Sequence, residues 1–143
     1  MSGNPLHQRP VTEVAVGIIL QQGQFLLAKR PHGKPYAGYW EFPGGKIEAG
    51  ETAHQALARE LQEELDIHIH ESQDWGVIEH DYPHAYVRLH LYLVRSWDGD
   101  AKGQEGQELS WQSISLGTHI DLEPLLPATI MIIEMMQQKN LLD

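Results

Sequence analysis

A mixed β-sheet covered by helices on both faces is the fold class this sequence predicts. Three observations predict it. Short apolar runs with strand periodicity recur from the first quarter of the chain to its last third. One strongly patterned helix interrupts them near the middle, and an apolar helix closes the chain. The 143 residues, 41% hydrophobic, match one ordinary domain, taken as residues 1–143.

The elements follow in order. Glu13 to Leu20 reads as a buried strand, and Gln21-Gln22-Gly23 as a turn into a second strand, Gln24 to Lys29. Pro31 to Gly38 is a loop with two prolines and two glycines. A short apolar stretch, Tyr39 to Pro43, leads into Gly44-Gly45, where glycine permits a tight turn. Thr52 and Gln55 have capping-box spacing and start a helix. Its apolar stripe is Ala53, Ala56, Leu57, Leu61 and Leu65, and it ends near Leu65-Asp66. Trp75 to Tyr82 and Tyr86 to Arg95 form a hairpin around Pro83-His84, with Val87, Leu89, Leu91 and Leu93 on one buried face. A charged, glycine-containing loop from Asp98 to Gln107 precedes a short strand, Glu108 to Ile114. The last helix runs from about Ala128 to Lys139 behind Pro127.

Composition removes several function classes. The formal net charge is -10, which disfavours nucleic-acid polymers and anionic membranes. No apolar stretch nears the roughly 20 residues of a membrane span. Met1 to Pro10 is polar and lacks the apolar core of a signal peptide. There is no cysteine, so disulfides and thiolate metal sites are excluded. These features fit a cytoplasmic protein.

The helix carries the chemistry. Glu60 lies three and four residues before Glu63 and Glu64, so the three carboxylates share one face. Clustered carboxylates take up protons or bind cations. Oxygen-only donors favour Mg²⁺ or Mn²⁺. Arg59 stands four residues before Glu63 and is placed to pair with it. The nine histidines include the pairs His68/His70 and His80/His84, without a third ligand nearby, and read as structural or surface residues. Met131, Met135 and Met136 read as core packing.

Gly45, Glu51, Arg59-Glu60-Leu61, Glu63-Glu64 and Ile67 resemble the Nudix box, here residues 45–67. Asp66 is the departure, standing where the family has a helix-ending glycine; aspartate tolerates the same left-handed conformation. Glu41-Phe42-Pro43-Gly44-Gly45-Lys46-Ile47-Glu48, the stretch with Arg95 and Trp97, and Gly103-Gln104-Glu105-Gly106-Gln107 are similar to the MutT branch, the 8-oxo-dGTP diphosphatases. The likeness spans about Val14 to Met136.

That resemblance implies an α/β/α sandwich and Mg²⁺-dependent hydrolysis of a nucleoside triphosphate to monophosphate and pyrophosphate, by a monomer or homodimer. It implies that Glu60, Glu63, Glu64, the Gly44 carbonyl and Glu105 bind the cation, with Glu105 as ligand or base. It assigns Arg59 to orienting a glutamate and Glu51 to supporting the box glycines. Arg30, Glu41, Phe42, Pro43, Gly44 and Tyr82 are its substrate positions, and Tyr82 and Trp40 are candidates to stack on a base. Thr129 stands where the branch carries asparagine, and a hydroxyl cannot reproduce an amide's paired donor and acceptor. CTP or a modified dCTP therefore stands beside 8-oxo-dGTP as substrate. ADP-ribose hydrolysis and non-catalytic nucleotide binding are the further alternatives.

Overall fold

The computed structural model describes residues 9–115 and 120–139. Strand β1 (Val11–Gln21) pairs in parallel with β7 (Ala85–Val94), and β7 pairs antiparallel with β6 (Gln73–Tyr82). The other edge of β1 is divided. Its first half pairs with β4 (Gly44–Lys46), and its last residues pair with β2 (Gln24–Lys29). Strand β2 also pairs with β3 (Trp40–Glu41) and β9 (Leu109–Ser113). A separate small ladder joins β5 (His68–Ile69) to β8 (Trp97–Asp98). Helices α1 (Ala53–Leu65) and α2 (Pro127–Gln138) complete the chain.

The mixed sheet lies between the two helices, as strand periodicity requires. On β1, Val16, Ile18 and Leu20 point to the side of α2 and meet Ile132, Ile133 and Met136. Ala15 and Ile19 point the other way, to Leu57, Leu61 and Leu65 of α1. Gly17 falls on that second face, where a Cβ would stand 3.3 Å from both Leu57 Cδ1 and Leu61 Cδ1. The helix approaches the sheet closely there because residue 17 has no side chain. Gly17→Val therefore overpacks the interface and lowers stability by about 1–3 kcal/mol. Chemical denaturation measures this, and an unchanged midpoint would refute the close packing.

Several expectations need correction. Gly44-Gly45 does not turn. Both residues are extended in β4, in register with Val16 and Ala15. Glycine is required there for close approach: a Cβ on Gly44 would run into the carbonyl oxygen of Ala15. The Trp40 ring does not offer a face for stacking, being 5% exposed in the core against the segment before α2. The ladder between β5 and β8 lay in stretches read as connections, since two-residue strands carry no periodic signal.

Candidate active site

Helix α1 is fixed at both ends by local chemistry. The Thr52 hydroxyl accepts the Gln55 amide at 3.0 Å, and the Gln55 side chain accepts the Thr52 amide at 2.9 Å. Asp66 ends the helix in the left-handed conformation, φ 57°, as expected of the residue replacing glycine. The acidic face between these caps is therefore held in a single register against the sheet.

Glu60 and Glu64 come together on that face. Their carboxyls lie within reach of each other, and Glu64 is half-buried. Burial, then the Glu60 contact and charge, push the Glu64 carboxyl up to about 9, against a backbone hydrogen bond from Gly44. Glu60 lies against the backbone of Gly45, where a Cβ would overlap its carboxylate. Strand β4 thus forms a wall for the acidic pair, with Gly44 touching one carboxyl and Gly45 the other.

Arg59 locks this arrangement. Its Nε and Nη2 donate to the two Glu51 oxygens at 2.7 and 3.0 Å. Its Nη1 donates to Glu60 Oε2 at 2.8 Å, and Nη2 also reaches the Lys46 carbonyl at 3.0 Å. The expected pairing with Glu63 is the long contact, 3.4 Å, to a carboxylate that is 62% exposed. A planar guanidinium satisfies the nearer bidentate partner first. Glu51 also accepts the Glu48 amide at 2.9 Å, so it joins the strand-to-helix connection to the helix.

These contacts hold the Glu51 carboxyl down at about 2, chiefly through Arg59 and then the Glu48 amide. A depressed folded value means the stabilisation is present above the ordinary value of 4.5 and fades as pH falls toward 2. Glu51→Gln therefore lowers the thermal midpoint at pH 7, and the gap to the native chain narrows below about pH 4.5. A gap independent of pH in a melting series from 7 to 3 would contradict this.

The loop with Glu105 docks on the C-terminal end of α1. The Lys102 amide donates to the Leu65 carbonyl at 3.0 Å, and the Gln104 amide to the Glu64 carbonyl at 2.9 Å. These are last-turn carbonyls that have no partner within a helix. Glu105 itself is exposed. It lies close enough to Glu41 to raise that carboxyl electrostatically.

Glu41 joins the acidic end to the cationic end of the site. It accepts Arg30 Nη1 at 2.7 Å, while burial raises its carboxyl above the usual range. Arg30 Nε donates to the Pro35 carbonyl at 2.7 Å, which curls the loop after β2 around the guanidinium. Tyr82 is buried, and its hydroxyl accepts the Ala128 amide at 3.1 Å. Its ring meets Tyr36 edge-on at 5.5 Å.

The structure thus gathers Glu60, Glu64, Gly44, Glu41 and Arg30, with the Glu105 loop alongside. Phe42 and Pro43 contribute backbone rather than an open wall. The Phe42 ring stacks on Phe25 at 5.5 Å, and the Pro43 carbonyl accepts the Gly17 amide. Thr129 is 2% exposed, and its hydroxyl donates to the Trp40 carbonyl at 3.0 Å. Sequence reasoning missed Gln104 and Gln107 as loop anchors, although the glutamines of the Gly103 to Gln107 run were in plain view.

Among the described residues, no three histidine, cysteine or acidic side chains converge as a ready-made metal cage. The donor chemistry still fits a hard divalent cation. Two adjacent carboxyls, with the Glu64 carboxyl pushed up first by burial and then by Glu60, form a pair whose proton a cation displaces. Mg²⁺ takes one or two protein carboxylates and completes its shell with water and phosphate oxygens.

A mixed sheet between two helices carries a half-buried acidic pair backed by a glycine strand, and similarity to known proteins makes this chain a hydrolase of phosphoanhydride bonds. The chain belongs to the NUDIX domain family, whose pattern matches residues 11–128. It is 41% identical over 104 residues to an 8-oxo-dGTP diphosphatase of Haemophilus influenzae, covering 72% of this chain and 76% of that one. It is 37% identical over 122 residues to a CTP pyrophosphohydrolase of Escherichia coli, covering 85% and 88%. A crystal structure of a MutT NUDIX hydrolase from Burkholderia pseudomallei superposes with a TM-score of 0.78 at 27% identity, covering 88% of this chain and 98% of that chain. Hydrolases of this family generally require a divalent metal. No helix among the described residues is long and apolar enough to cross a membrane.

Proposed function

We propose that this chain, as one domain in the cytoplasm, hydrolyses a nucleoside triphosphate to the monophosphate and pyrophosphate. An oxidised purine triphosphate such as 8-oxo-dGTP is the first substrate. The observation that carries this is the Glu60–Glu64 pair, walled by Gly44 and Gly45 and locked by Arg59. Glu60, Glu64 and the Gly44 backbone, with Glu63 and Glu105 from the rim, would hold Mg²⁺ or Mn²⁺. Bound there, the ion supplies charge neutralisation for the phosphates and a lowered pKa for water.

The protein's own groups do the rest. Arg59 keeps Glu60 pointed at β4. Glu105 takes the proton of the water as the water oxygen adds to phosphorus and the bond to the pyrophosphate oxygen breaks. Arg30, held by Glu41 and Pro35, offers a guanidinium for phosphate or base. The Tyr82 ring, buried like that of Trp40 and packed edge-on by Tyr36, offers no free face to a base, which corrects the expectation that it stacks.

A cytidine triphosphate is the second reading, supported by a specific observation. Thr129 spends its hydroxyl on Trp40, so it offers a base little polar recognition. A pyrophosphate-release screen with Mg²⁺ tests both readings, using 8-oxo-dGTP, dGTP, CTP, 5-methyl-dCTP and ADP-ribose. A peak at 8-oxo-dGTP supports the first, and a cytidine peak supports the second. Inactivity on all five would sink the catalytic reading.

A further inference from the structure

We infer that Gln107 is a positioning residue that sets where Glu105 stands relative to the acidic pair. This rests on the reading of Glu105 as the group that accepts the water proton. The Gln107 amide is used at both ends. Its Oε1 accepts the Glu105 backbone amide at 2.8 Å, and its Nε2 donates to the Glu64 carbonyl at 3.2 Å. One side chain thus ties the backbone of Glu105 to the backbone of Glu64.

The surrounding loop is built to receive it. The Gly106 amide donates to the Gly103 carbonyl at 3.1 Å, closing a tight turn around Glu105. A Cβ on Gly103 would run into the Gln107 carbonyl oxygen and stand 2.9 Å from its Oε1. The Gln104 amide reaches the same Glu64 carbonyl at 2.9 Å, so two donors converge on that oxygen. Without the Gln107 side chain the loop keeps Lys102 and Gln104 as anchors before Glu105 and the Lys29 amide on the Glu108 carbonyl after it, but loses the hydrogen bond on the Glu105 amide itself. The fold survives and the position of Glu105 broadens. Small displacements of a reacting group cost large factors in rate.

The test is a double-mutant cycle in kcat and KM on the best triphosphate, with melting curves alongside. Gln107→Leu lowers kcat by about 10- to 100-fold, with KM changed by less than about twofold and the melting curve nearly unmoved. Glu105→Gln lowers kcat at least as far. The double variant matches Glu105→Gln alone, because Gln107 acts only through Glu105. Gln107→Glu keeps the oxygen that faces the Glu105 amide and gives an intermediate kcat. Effects that multiply in the double variant, or that fall on KM, overturn the inference while leaving Glu105 in its role. A Glu105→Gln enzyme with native turnover overturns the reading on which the inference stands, and the inference with it.

Discussion

Glu64→Gln yields a folded protein whose turnover is lower by about 100- to 1000-fold or more. The contacts predict both halves of that result. Without metal, burial and then Glu60 push the Glu64 carboxyl up to about 9, which favours its protonated form at neutral pH. A glutamine of equal length replaces that proton with an amide N–H, and its oxygen can still accept from Gly44. Nothing packed around the side chain has to move, and no buried charge is added or removed. The metal-free variant therefore melts no lower than the native chain. What it loses is the charge a divalent cation requires, so Mn²⁺ affinity, read by titration calorimetry, falls with the rate. Near-native turnover would mean that the acidic pair is not the metal site.

Gly45→Ala is expected to cost nearly as much activity by a different route. The added methyl would lie inside the space of the Glu60 carboxylate. Gly45 is not among the residues with positive φ, so alanine fits the backbone. The carboxylate is the end of a flexible chain, so it swings away and the fold persists. Glu60 then leaves Arg59 and Glu64, and turnover drops by about 100-fold or more with the thermal midpoint shifted only a few degrees. Gly44→Ala is the contrast. Its φ is 155°, and the new methyl would meet the Ala15 carbonyl, which is backbone and cannot yield. That variant loses the sheet itself and unfolds. If Gly45→Ala proved as active as the native chain, Glu60 would not need its place against β4.

Much of α1 was legible because its signals are local. The capping box, the apolar stripe and the left-handed end at Asp66 each depend on residues within a turn or two of one another. The carboxylate cluster was legible for the same reason. Strand β4 was not, because two glycines have no side-chain pattern, and their extended shape comes from Ala15 and Glu60, far off in sequence. The main partner of Arg59 was missed because Glu51 lies outside the helix, eight residues away, where helical spacing gives no guidance. Trp40 stood as a candidate to stack on a base because an exposed and a buried tryptophan read alike until the segment before α2 is seen to cover it.

The parallel pairing of β1 with β7 has a consequence for the time course of folding. The hairpin of β6 and β7 closes on a short turn, and α1 needs only its own residues. The strand between them and the rest of the sheet must instead find a partner more than sixty residues downstream, such as Val11 beside Tyr86. Such closure is entropically slow compared with local steps. A chain emerging from synthesis therefore holds β1, β2, β4 and α1 before the strand that flanks the other edge of β1 exists. During that interval Ala15, Ile19 and Leu26 are at hand for the α1 stripe, while the far edge of β1 stays open until β7 is made.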